Sequence, residues 1–286
     1  HNKFFEGHSW MSYRPNPGTE CCPGDVNRAM PNYAARMWMT NGKSGLYATL
    51  YAPGKARFRP EGSSSDVTVV QETDYPFSEA IRFRVECRKP VKFGLYLRIP
   101  GWCREALVEV NGSRVSGKCR PGTFVKVERL FNNGDRVRLM LPMKLKMSRW
   151  PHGGAGIERG PLVFSLKIGE KWVIDKKDRK STRKFPAWNL YPRTPWNYAL
   201  AIDSRRDLEG QVELIRRPVV EHPWSLENAP MELRLPARRV TGWKLRRKSA
   251  MVLSKFDPGT EKWKKHLCRR KFLFTPQIPG AEKLKR

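Results

Sequence analysis

The sequence predicts a mainly β protein, with an antiparallel β-sandwich preceded by one helix. Two observations support this fold class. Between Gly42 and about residue 170, apolar and polar residues alternate in short runs that end at Gly, Pro, Asn or Asp, as is typical of strands with one buried face. From Asp25 to about residue 40, apolar residues recur instead at the spacing of a helix.

The predicted helix covers about residues 25–40. Asp25 can cap its N-terminus, and Asn41-Gly42 can end it. Pro31 is expected to kink this helix or to mark its first turn. One apolar face would contain Val26, Met30, Tyr33, Ala34, Met37 and Trp38.

Nine runs between residues 43 and 170 are predicted strands. They are short and recur every 8 to 15 residues or so, as the strands of a β-sandwich do. Asn111-Gly112 in "VEVNGSRV" is a strong local signal for a hairpin, and "FNNGDRV" supplies another turn. The runs are "GLYATLYA", "KARFR", "DVTVVQE", "AIRFRVEC", "KFGLYLRIP", "ALVEV", "FVKVERL", "RVRLMLP" and "PLVFSLKI".

The pattern divides the chain into four parts. Residues 1–42 contain an irregular, proline-rich start and the helix, and residues 43–170 form the sandwich. Residues 171–243 are a second β region or a return segment, with a charged linker first and candidate strands in "WNYALAI" and "MELRLPARRV". Residues 244–286 are basic and lose all periodicity, which indicates a tail that is disordered or outside the fold.

Length and composition indicate a globular protein. The chain has 286 residues, of which 39% are apolar and ten are Trp, enough to bury a sizeable core. No run approaches the roughly 18 apolar residues of a membrane span. Because the chain begins with His1, we expect a mature form or a fragment, and the compartment stays open.

The formal net charge of +29 raises the question of a polyanionic partner. From Val240 onward there are fourteen basic and three acidic residues. Elsewhere the charges alternate with apolar residues, as in "IRFRV" and "RVRLML", which places them on the solvent face of a strand. No nucleic-acid-binding motif accompanies the charge, so we predict no specific nucleic-acid partner. Polyanion binding remains a third hypothesis for function.

The adjacent pair Cys21-Cys22 is the most informative of the cysteine positions. Neighbouring cysteines form a strained disulfide, so two thiols held together suit metal ligands, or one ligand and one nucleophile. The sequence contains no CxxC pair, so it shows no zinc-finger pattern. Cys87 and Cys103 are expected to be small buried or half-buried residues. The six cysteines are Cys21, Cys22, Cys87, Cys103, Cys119 and Cys268.

Several sequence blocks occur together and in a fixed order. They are "ECCPGDVNRAMPNYAARMW", "GLYATLYAPGKARF", "VTVVQETDYPF", "LYLRIPGWC", "VEVNG" and "IERGPLVFSL", with a weaker block at "LPARRVTGWKL". In these blocks the chain resembles glycoside hydrolase family 127 (GH127), the β-L-arabinofuranosidase-like proteins. The resemblance covers about residues 10–170.

The resemblance implies an (α/α)6 barrel that carries the active site, followed by β-sandwich domains. It also implies that Cys21 is a zinc-bound thiolate nucleophile and that Cys22 is a zinc ligand. The reaction would be a retaining hydrolysis of arabinose-containing glycans. In the family, the other zinc ligands and the general acid/base glutamate lie far upstream of the cysteine pair.

Only twenty residues precede Cys21, and Glu6 and Glu20 are the only acidic ones among them. Neither occupies the position of the family's catalytic glutamate, so we predict that the general acid/base is not present in this chain. We therefore expect a C-terminal part of the enzyme, with one helix left from a truncated barrel. Two cysteine ligands alone should not hold zinc, and such a fragment should be inactive.

Other side chains have two interpretations each. His8 and Tyr13 are candidate sugar-binding residues or ordinary loop residues. Arg28 either orients charged groups of the site or forms a surface ion pair. Trp102 and Trp150 can stack on a sugar, but packing is the expected role of a Trp in a β domain.

The alternative function is a noncatalytic β-sandwich module that binds carbohydrate or supports a barrel. The sequence leaves open the sugar, the linkage and the oligomeric state.

Overall fold

The chain folds mainly into β-strands, as seen in a computed structural model. The structure describes residues 2–4, 11–13, 21–115, 117, 119–150, 154–179, 181–203, 205–242, 244–249, 252–257, 262–267 and 272–277. For residues 2–4, 11–13, 21–27 and those from 244 onward, it describes secondary structure alone. Among the described residues, no helix is long and apolar enough to cross a membrane.

One α-helix, α1, spans Cys21–Ala35. The strands up to residue 143 are β1 (Asn2–Phe4), β2 (Met11–Tyr13), β3 (Trp38–Thr40), β4 (Gly45–Ala48), β5 (Gly54–Phe58), β6 (Val67–Glu72), β7 (Ala80–Cys87), β8 (Val91–Arg98), β9 (Leu107–Val110), β10 (Ser113–Arg114), β11 (Phe124–Phe131) and β12 (Arg136–Met140). The later strands are β13 (Leu145–Trp150), β14 (Gly154–Arg159), β15 (Leu162–Phe164), β16 (Glu170–Ile174), β17 (Trp188–Pro192), β18 (Tyr198–Leu200), β19 (Glu213–Arg216), β20 (Met231–Arg234), β21 (Ala237–Arg239), β22 (Lys244–Ser249), β23 (Val252–Asp257), β24 (Lys262–Leu267) and β25 (Phe272–Gln277).

Strands β3 to β12 form a β-sandwich. One sheet has the order β10-β9-β12-β7-β6-β5 and the other β11-β8-β4-β3. Neighbouring strands are antiparallel except β4 and β8. A single hydrophobic core contains side chains of both sheets, and Phe58 of the first sheet meets Phe93 of the second edge-on at 5.3 Å. The predicted mainly β, sandwich-type fold is confirmed.

Strand β7 illustrates why the alternating runs fold this way. Ile81, Phe83 and Val85 are buried, whereas Arg82 between them is exposed and Arg84 is half-buried. Each fully buried side chain of this size contributes about 1.5–3 kcal/mol. A slip by one residue would move all three to the solvent face, so the apolar pattern fixes the register.

The predicted hairpin at Asn111-Gly112 is confirmed. Both residues have positive φ, 50° and 84°, as a type I′ turn requires, and Val110 pairs with Ser113 across it. The Asn111 side chain accepts a hydrogen bond from Arg136 N at 2.8 Å and donates one to Asp135 Oδ1 at 2.9 Å. These bonds connect the turn to the start of β12.

The predicted helix bounds of 25–40 are wrong at both ends. The helix begins at Cys21, because Pro23 in a first turn sacrifices no helical hydrogen bond; Asp25 therefore lies inside the helix and is not its cap. It ends at Ala35, and residues Trp38–Thr40 pair with β4 as strand β3. Consequently Asn41-Gly42 does not end the helix but connects β3 to β4.

Two segments predicted to be irregular contain strands. Residues 1–20 include β1 and β2, and the charged linker after residue 170 includes β16. These strands form one sheet of order β1-β2-β17-β16, in which Tyr13 pairs with Trp188. The pairing joins residues about 175 positions apart, so no local pattern in the sequence could indicate it.

The chain after the sandwich is also β-rich. Strands β13, β14 and β15 form an antiparallel sheet, and the strands predicted in "WNYALAI" and "MELRLPARRV" are confirmed as β18, β20 and β21. The basic segment, predicted to lack periodic structure, contains the antiparallel pairs β22–β25 and β23–β24. The division into four domains stays a prediction.

An ion pair with a buried arginine joins the β13-β14-β15 sheet to the sandwich. Arg159 of β14 donates a hydrogen bond to Glu79 Oε1, and the same oxygen accepts one from Met143 N at 3.2 Å. The other guanidinium nitrogen, Nη1, lies 3.4 Å from Met143 Sδ and 4.0 Å from Met231 Sδ. Three parts of the chain therefore meet at this arginine.

Candidate functional site

The cysteine pair lies in the first turn of α1, with Cys21 and Cys22 as its first two residues. Backbone N–H groups in a first turn lack helical acceptors and carry partial positive charge. This charge favours the thiolate form of a cysteine placed there. The surroundings of the two thiol groups lie outside what the structure describes. Their roles as nucleophile and zinc ligand remain predictions.

The structure describes only one of the two candidate sugar-binding residues. His8 lies outside the described residues. Tyr13 is the last residue of β2, where it pairs with Asn2 and with Trp188. Residues 14–20, which connect Tyr13 to α1, are not described, so the sugar-binding role of both residues remains a prediction.

A chain of hydrogen bonds connects α1 to the sandwich. The hydroxyl of Tyr33, on the last turn of the helix, donates to the carbonyl oxygen of Tyr51 at 3.2 Å. The Tyr51 side chain is buried, and its own hydroxyl donates to the carbonyl oxygen of Arg98 at 2.6 Å. The helix is thereby linked to β8, a central strand of the four-stranded sheet.

The segment that leaves α1 is held equally firmly. Met37 is buried, and its carbonyl oxygen accepts hydrogen bonds from Thr49 N at 2.9 Å and Leu50 N at 3.3 Å. The Thr49 hydroxyl donates to the carbonyl oxygen of Arg36. These bonds explain why the helix ends before Met37, since the backbone turns there to meet the end of β4.

The rest of the described helix is open to solvent. Of the residues from Arg28 to Arg36, only Tyr33 is half-buried, and Met30 is 68% exposed. The prediction of a buried apolar face is therefore wrong for Met30 and Ala34, which are both exposed to solvent. A helix rises about 1.5 Å per residue, so Cys22 lies about 16 Å from Tyr33 along the axis. The contacts of the described side chains with the sandwich lie at the C-terminal end of α1.

Three tyrosines lie on α1 or in the nearby part of the sandwich, and two of them, Tyr33 and Tyr51, donate hydrogen bonds. Burial raises the pKa values of Tyr33, Tyr51 and Tyr75, and the positive charge of Arg98 offsets this only in part. All three hydroxyls stay protonated near neutral pH. Tyr33 and Tyr51 can therefore position the helix by hydrogen bonding, but none of the three phenol groups is suited to proton transfer near neutral pH.

The cysteines of the sandwich are unlike the helix-terminal pair. Cys87, Cys103 and Cys119 are free thiols, with Cys103 buried and the other two half-buried. Burial raises the pKa of each, which keeps the thiols protonated and unreactive. The prediction that Cys87 and Cys103 are small packing residues is confirmed.

A zinc site would require more donors than the described side chains offer. Zinc is held by four protein ligands, or by three and a water. Within the described part of the chain, no three His, Cys, Asp or Glu side chains come together in a way that could hold a metal ion. The zinc-ligand role of Cys22 therefore stays a prediction.

The remaining sequence candidates have separate environments. Trp102 packs against the sandwich core, as predicted. The packing prediction is wrong for Trp150, which is 63% exposed and donates its Nε1–H to Ser148. Arg28 is exposed on the helix. The positioning role of Tyr33 was missed, because a helical pattern marks an apolar face without indicating a hydroxyl's partner.

Comparisons with known proteins agree with the resemblance seen in the sequence. Residues 45–143 match the family model described as β-L-arabinofuranosidase, GH127 middle domain. This range contains β4 to β12, that is, the sandwich without its edge strand β3. The GH127 resemblance is confirmed for this region, which matches a domain found in a family of glycoside hydrolases. No curated protein matches the chain.

Solved structures with a similar arrangement are also GH127 proteins or glycoside hydrolases. A GH127 β-L-arabinofuranosidase from Geobacillus stearothermophilus T6 is 22% identical, with a TM-score of 0.46 and coverage of 61% of this chain and 35% of that one. A glycoside hydrolase is 22% identical, with a TM-score of 0.47 and coverage of 62% and 37%. A GH127 β-arabinofuranosidase is 21% identical, with a TM-score of 0.48 and coverage of 63% and 38%. The chain thus spans little more than a third of the length of these proteins.

Proposed function

We propose that this chain, whose residues 45–143 match the GH127 middle domain, belongs to a retaining glycoside hydrolase of the β-L-arabinofuranosidase type. One observation supports this most directly. The helix that begins with Cys21-Cys22 ends at Ala35, shortly before the matched region begins at residue 45, and is hydrogen-bonded to that region through Tyr33 and Tyr51. The substrates would be glycans that end in arabinofuranose.

In the proposed reaction, the Cys21 thiolate is the nucleophile. Its sulfur attacks the anomeric carbon and forms a C–S bond, while the glycosidic C–O bond breaks and a carboxylic acid protonates the leaving oxygen. The carboxylate then removes a proton from water, whose oxygen displaces the sulfur and regenerates the thiolate. Two displacements at one carbon retain its configuration. The sequence prediction places this carboxylic acid outside the chain.

The contribution of this chain would be to activate and position the sulfur. The N-terminus of α1 favours the thiolate, and the sandwich fixes the other end of the helix. Zinc held by Cys22 would also favour deprotonation. Its remaining donors would have to come from outside the described residues, and no step above depends on them.

The second candidate is a noncatalytic module that binds carbohydrate. Tyr47 and Tyr96 stack at 4.1 Å on the outer face of the four-stranded sheet. The ring of Phe124 meets Tyr47 edge-on at 5.5 Å and is 41% exposed. Tyr47 and Tyr96 are half-buried. Partly exposed aromatic rings on a sheet suit the apolar face of a sugar, so this surface favours the alternative.

Turnover of an aryl β-L-arabinofuranoside distinguishes the two candidates. It should be measured for the 286-residue chain alone and for the chain joined to its natural upstream coding sequence. We expect turnover from the joined form only, with at least a thousandfold loss in Cys21→Ser and little loss in the control Cys87→Ser. Unchanged turnover in Cys21→Ser would refute the enzyme proposal. Glycan binding without turnover by either form, abolished by Tyr96→Ala, would establish the module instead.

A further inference from the structure

Four arginines form a block on the outer face of the six-stranded sheet. Arg82 of β7 lies directly opposite Arg138 of β12, and Arg84 lies directly opposite Arg136. Opposed residues of an antiparallel pair have Cα atoms about 4.5–5.5 Å apart, and alternate residues of one strand are about 6.8 Å apart. Four cationic side chains therefore leave the sheet from an area of about 5 by 7 Å.

This arrangement does not favour folding. Like charges directly opposite each other destabilise an antiparallel pair. Arg84 and Arg138 each contact one glutamate. Arg82 and Arg136 are exposed, and neither forms a salt bridge among the described side chains, although Glu72 of β6 lies directly opposite Arg82. The flanking glutamates compensate this conflict only in part, and a remaining local conflict is expected where a surface serves a function.

The whole outer face of the six-stranded sheet is mainly basic. At the outward positions of its six strands, seven side chains are basic and three are acidic, and none is aromatic. The basic ones are Lys55, Arg57, Arg82, Arg84, Arg114, Arg136 and Arg138, and the acidic ones are Glu72, Glu86 and Glu109. The arginine block lies on β7 and β12, the two central strands of this sheet.

We propose that this outer face binds an anionic polysaccharide, with Arg82 and Arg136 as its main contacts. The planar guanidinium group binds a carboxylate or sulfate through two parallel hydrogen bonds. The interspersed glutamates can accept hydrogen bonds from sugar hydroxyls. A sugar chain with spaced charges fits this mixture better than nucleic acid does. Nucleic acid carries a continuous row of phosphates, which the glutamates would repel, and single strands bind through aromatic stacking.

The proposal goes beyond the proposed function and is tested by binding alone. The full chain is titrated with polygalacturonate, heparin, neutral dextran and single-stranded DNA in 0.1 M salt, a concentration chosen to limit long-range attraction. The test variant is Arg82→Gln/Arg136→Gln. The control is Arg88→Gln/Lys89→Gln, which removes the same charge from the exposed turn between β7 and β8.

We expect polygalacturonate or heparin to bind and dextran not to bind. The test variant should lose about tenfold in affinity, since each exposed ion pair contributes modestly, and the control less than twofold. The urea midpoint of the test variant at low salt should stay the same or rise, because a like-charge conflict has been removed. A preference for polygalacturonate would indicate carboxylate recognition, and one for heparin sulfate recognition.

Three results would overturn the proposal. Equal losses in the test and control variants would show that net charge alone attracts the polyanion. Tighter binding of DNA than of either polysaccharide, with the same dependence on Arg82 and Arg136, would make the face a nucleic-acid surface. Absence of measurable binding to both polysaccharides would leave the arginine block without a ligand.

Discussion

Arg159 and Glu79 form an ion pair in which the arginine side chain is only 2% exposed. Burial lowers the pKa of Arg159 from its usual value, and the carboxylate of Glu79 opposes that shift. The guanidinium group remains charged, as arginine does in proteins. The pair lies where β14 meets the residue before β7, so it connects the sandwich to the sheet that follows it.

Breaking this pair on one side should destabilise the protein. Glu79→Gln leaves a buried guanidinium group without its counter-ion and should lower the free energy of unfolding by about 3 kcal/mol, the low end for a buried pair, because Glu79 itself is 27% exposed. The double variant Glu79→Gln/Arg159→Met should lose less than Glu79→Gln alone. Urea unfolding provides both values. The exposed pair of Lys144 and Glu105 supplies the control Lys144→Gln, which should barely move the urea midpoint. If the losses in unfolding free energy from changing Glu79 and Arg159 were simply additive, the two residues would not be coupled and the assignment would be contradicted.

Asp135 should make stability dependent on acid pH. Burial alone would raise the pKa of Asp135, but hydrogen bonds from Asn132 N and the Asn111 side chain, together with Arg129, outweigh it and lower the pKa. The resulting stabilisation is fully present above the unfolded-state pKa of about 3.9. It is lost as the pH falls through the lower pKa of the folded state.

Thermal midpoints between pH 6 and pH 2 test this dependence. Asp135→Asn should already be less stable than the parent at pH 6, and the difference should shrink toward pH 2. The control Asp74→Asn, at an exposed position, should follow the parent at every pH. A constant gap between Asp135→Asn and the parent would show that packing, and not ionisation, accounts for the loss.

The sequence predicted what depends on local pattern. The β7 run "AIRFRVEC" matches the strand Ala80–Cys87 residue for residue. The alternation of apolar and polar residues marks the strand in the sequence and also fixes which of its side chains face the core. The start of α1 was misplaced, since the sequence favours Asp25 as the N-cap, although the helix begins at Cys21 and tolerates Pro23 in its first turn. Strand β14 was missed because "GAGIER" has two glycines and no alternation.

For the candidate site, the sequence predicted the cysteine pair and its helix but not what holds the helix. The hydrogen bond from Tyr33 reaches Tyr51, 18 positions away, through backbone geometry that no spacing encodes. The conflict between Arg82 and Arg138 arises only once β7 and β12 are paired. In the sequence each arginine is an ordinary exposed residue of an alternating strand.

Removing the Tyr33 hydroxyl should loosen the attachment of α1. Tyr33→Phe leaves the Tyr51 carbonyl without this donor and should lower the free energy of unfolding by about 1 kcal/mol. In a form with arabinofuranosidase turnover, kcat should fall about tenfold, since a small displacement of a nucleophile is costly. Tyr198→Phe, at a tyrosine of strand β18 that is 37% exposed, is the control. Equal kcat in Tyr33→Phe and the parent would show that the bond does not position the sulfur.

The cysteines should differ in reactivity. Cys21 or Cys22 should react with iodoacetamide below the pH at which an ordinary thiol does, because the N-terminus of α1 favours the thiolate. Cys103 should be the slower site, since burial raises its pKa. Peptide mass spectrometry across pH 5 to 10 gives each profile. Faster labelling of Cys103 than of the pair would contradict the assignment of a helix-terminal thiolate.

Trapping the covalent intermediate tests the nucleophile assignment most directly. A form of the protein with turnover is mixed with an activated arabinofuranoside whose glycosyl-enzyme breaks down slowly, quenched in acid and digested for mass spectrometry. We predict an arabinosyl adduct on the sulfur of Cys21, absent from Cys21→Ser and retained in Cys87→Ser. An adduct on any other residue, or turnover that survives Cys21→Ser, would contradict the account.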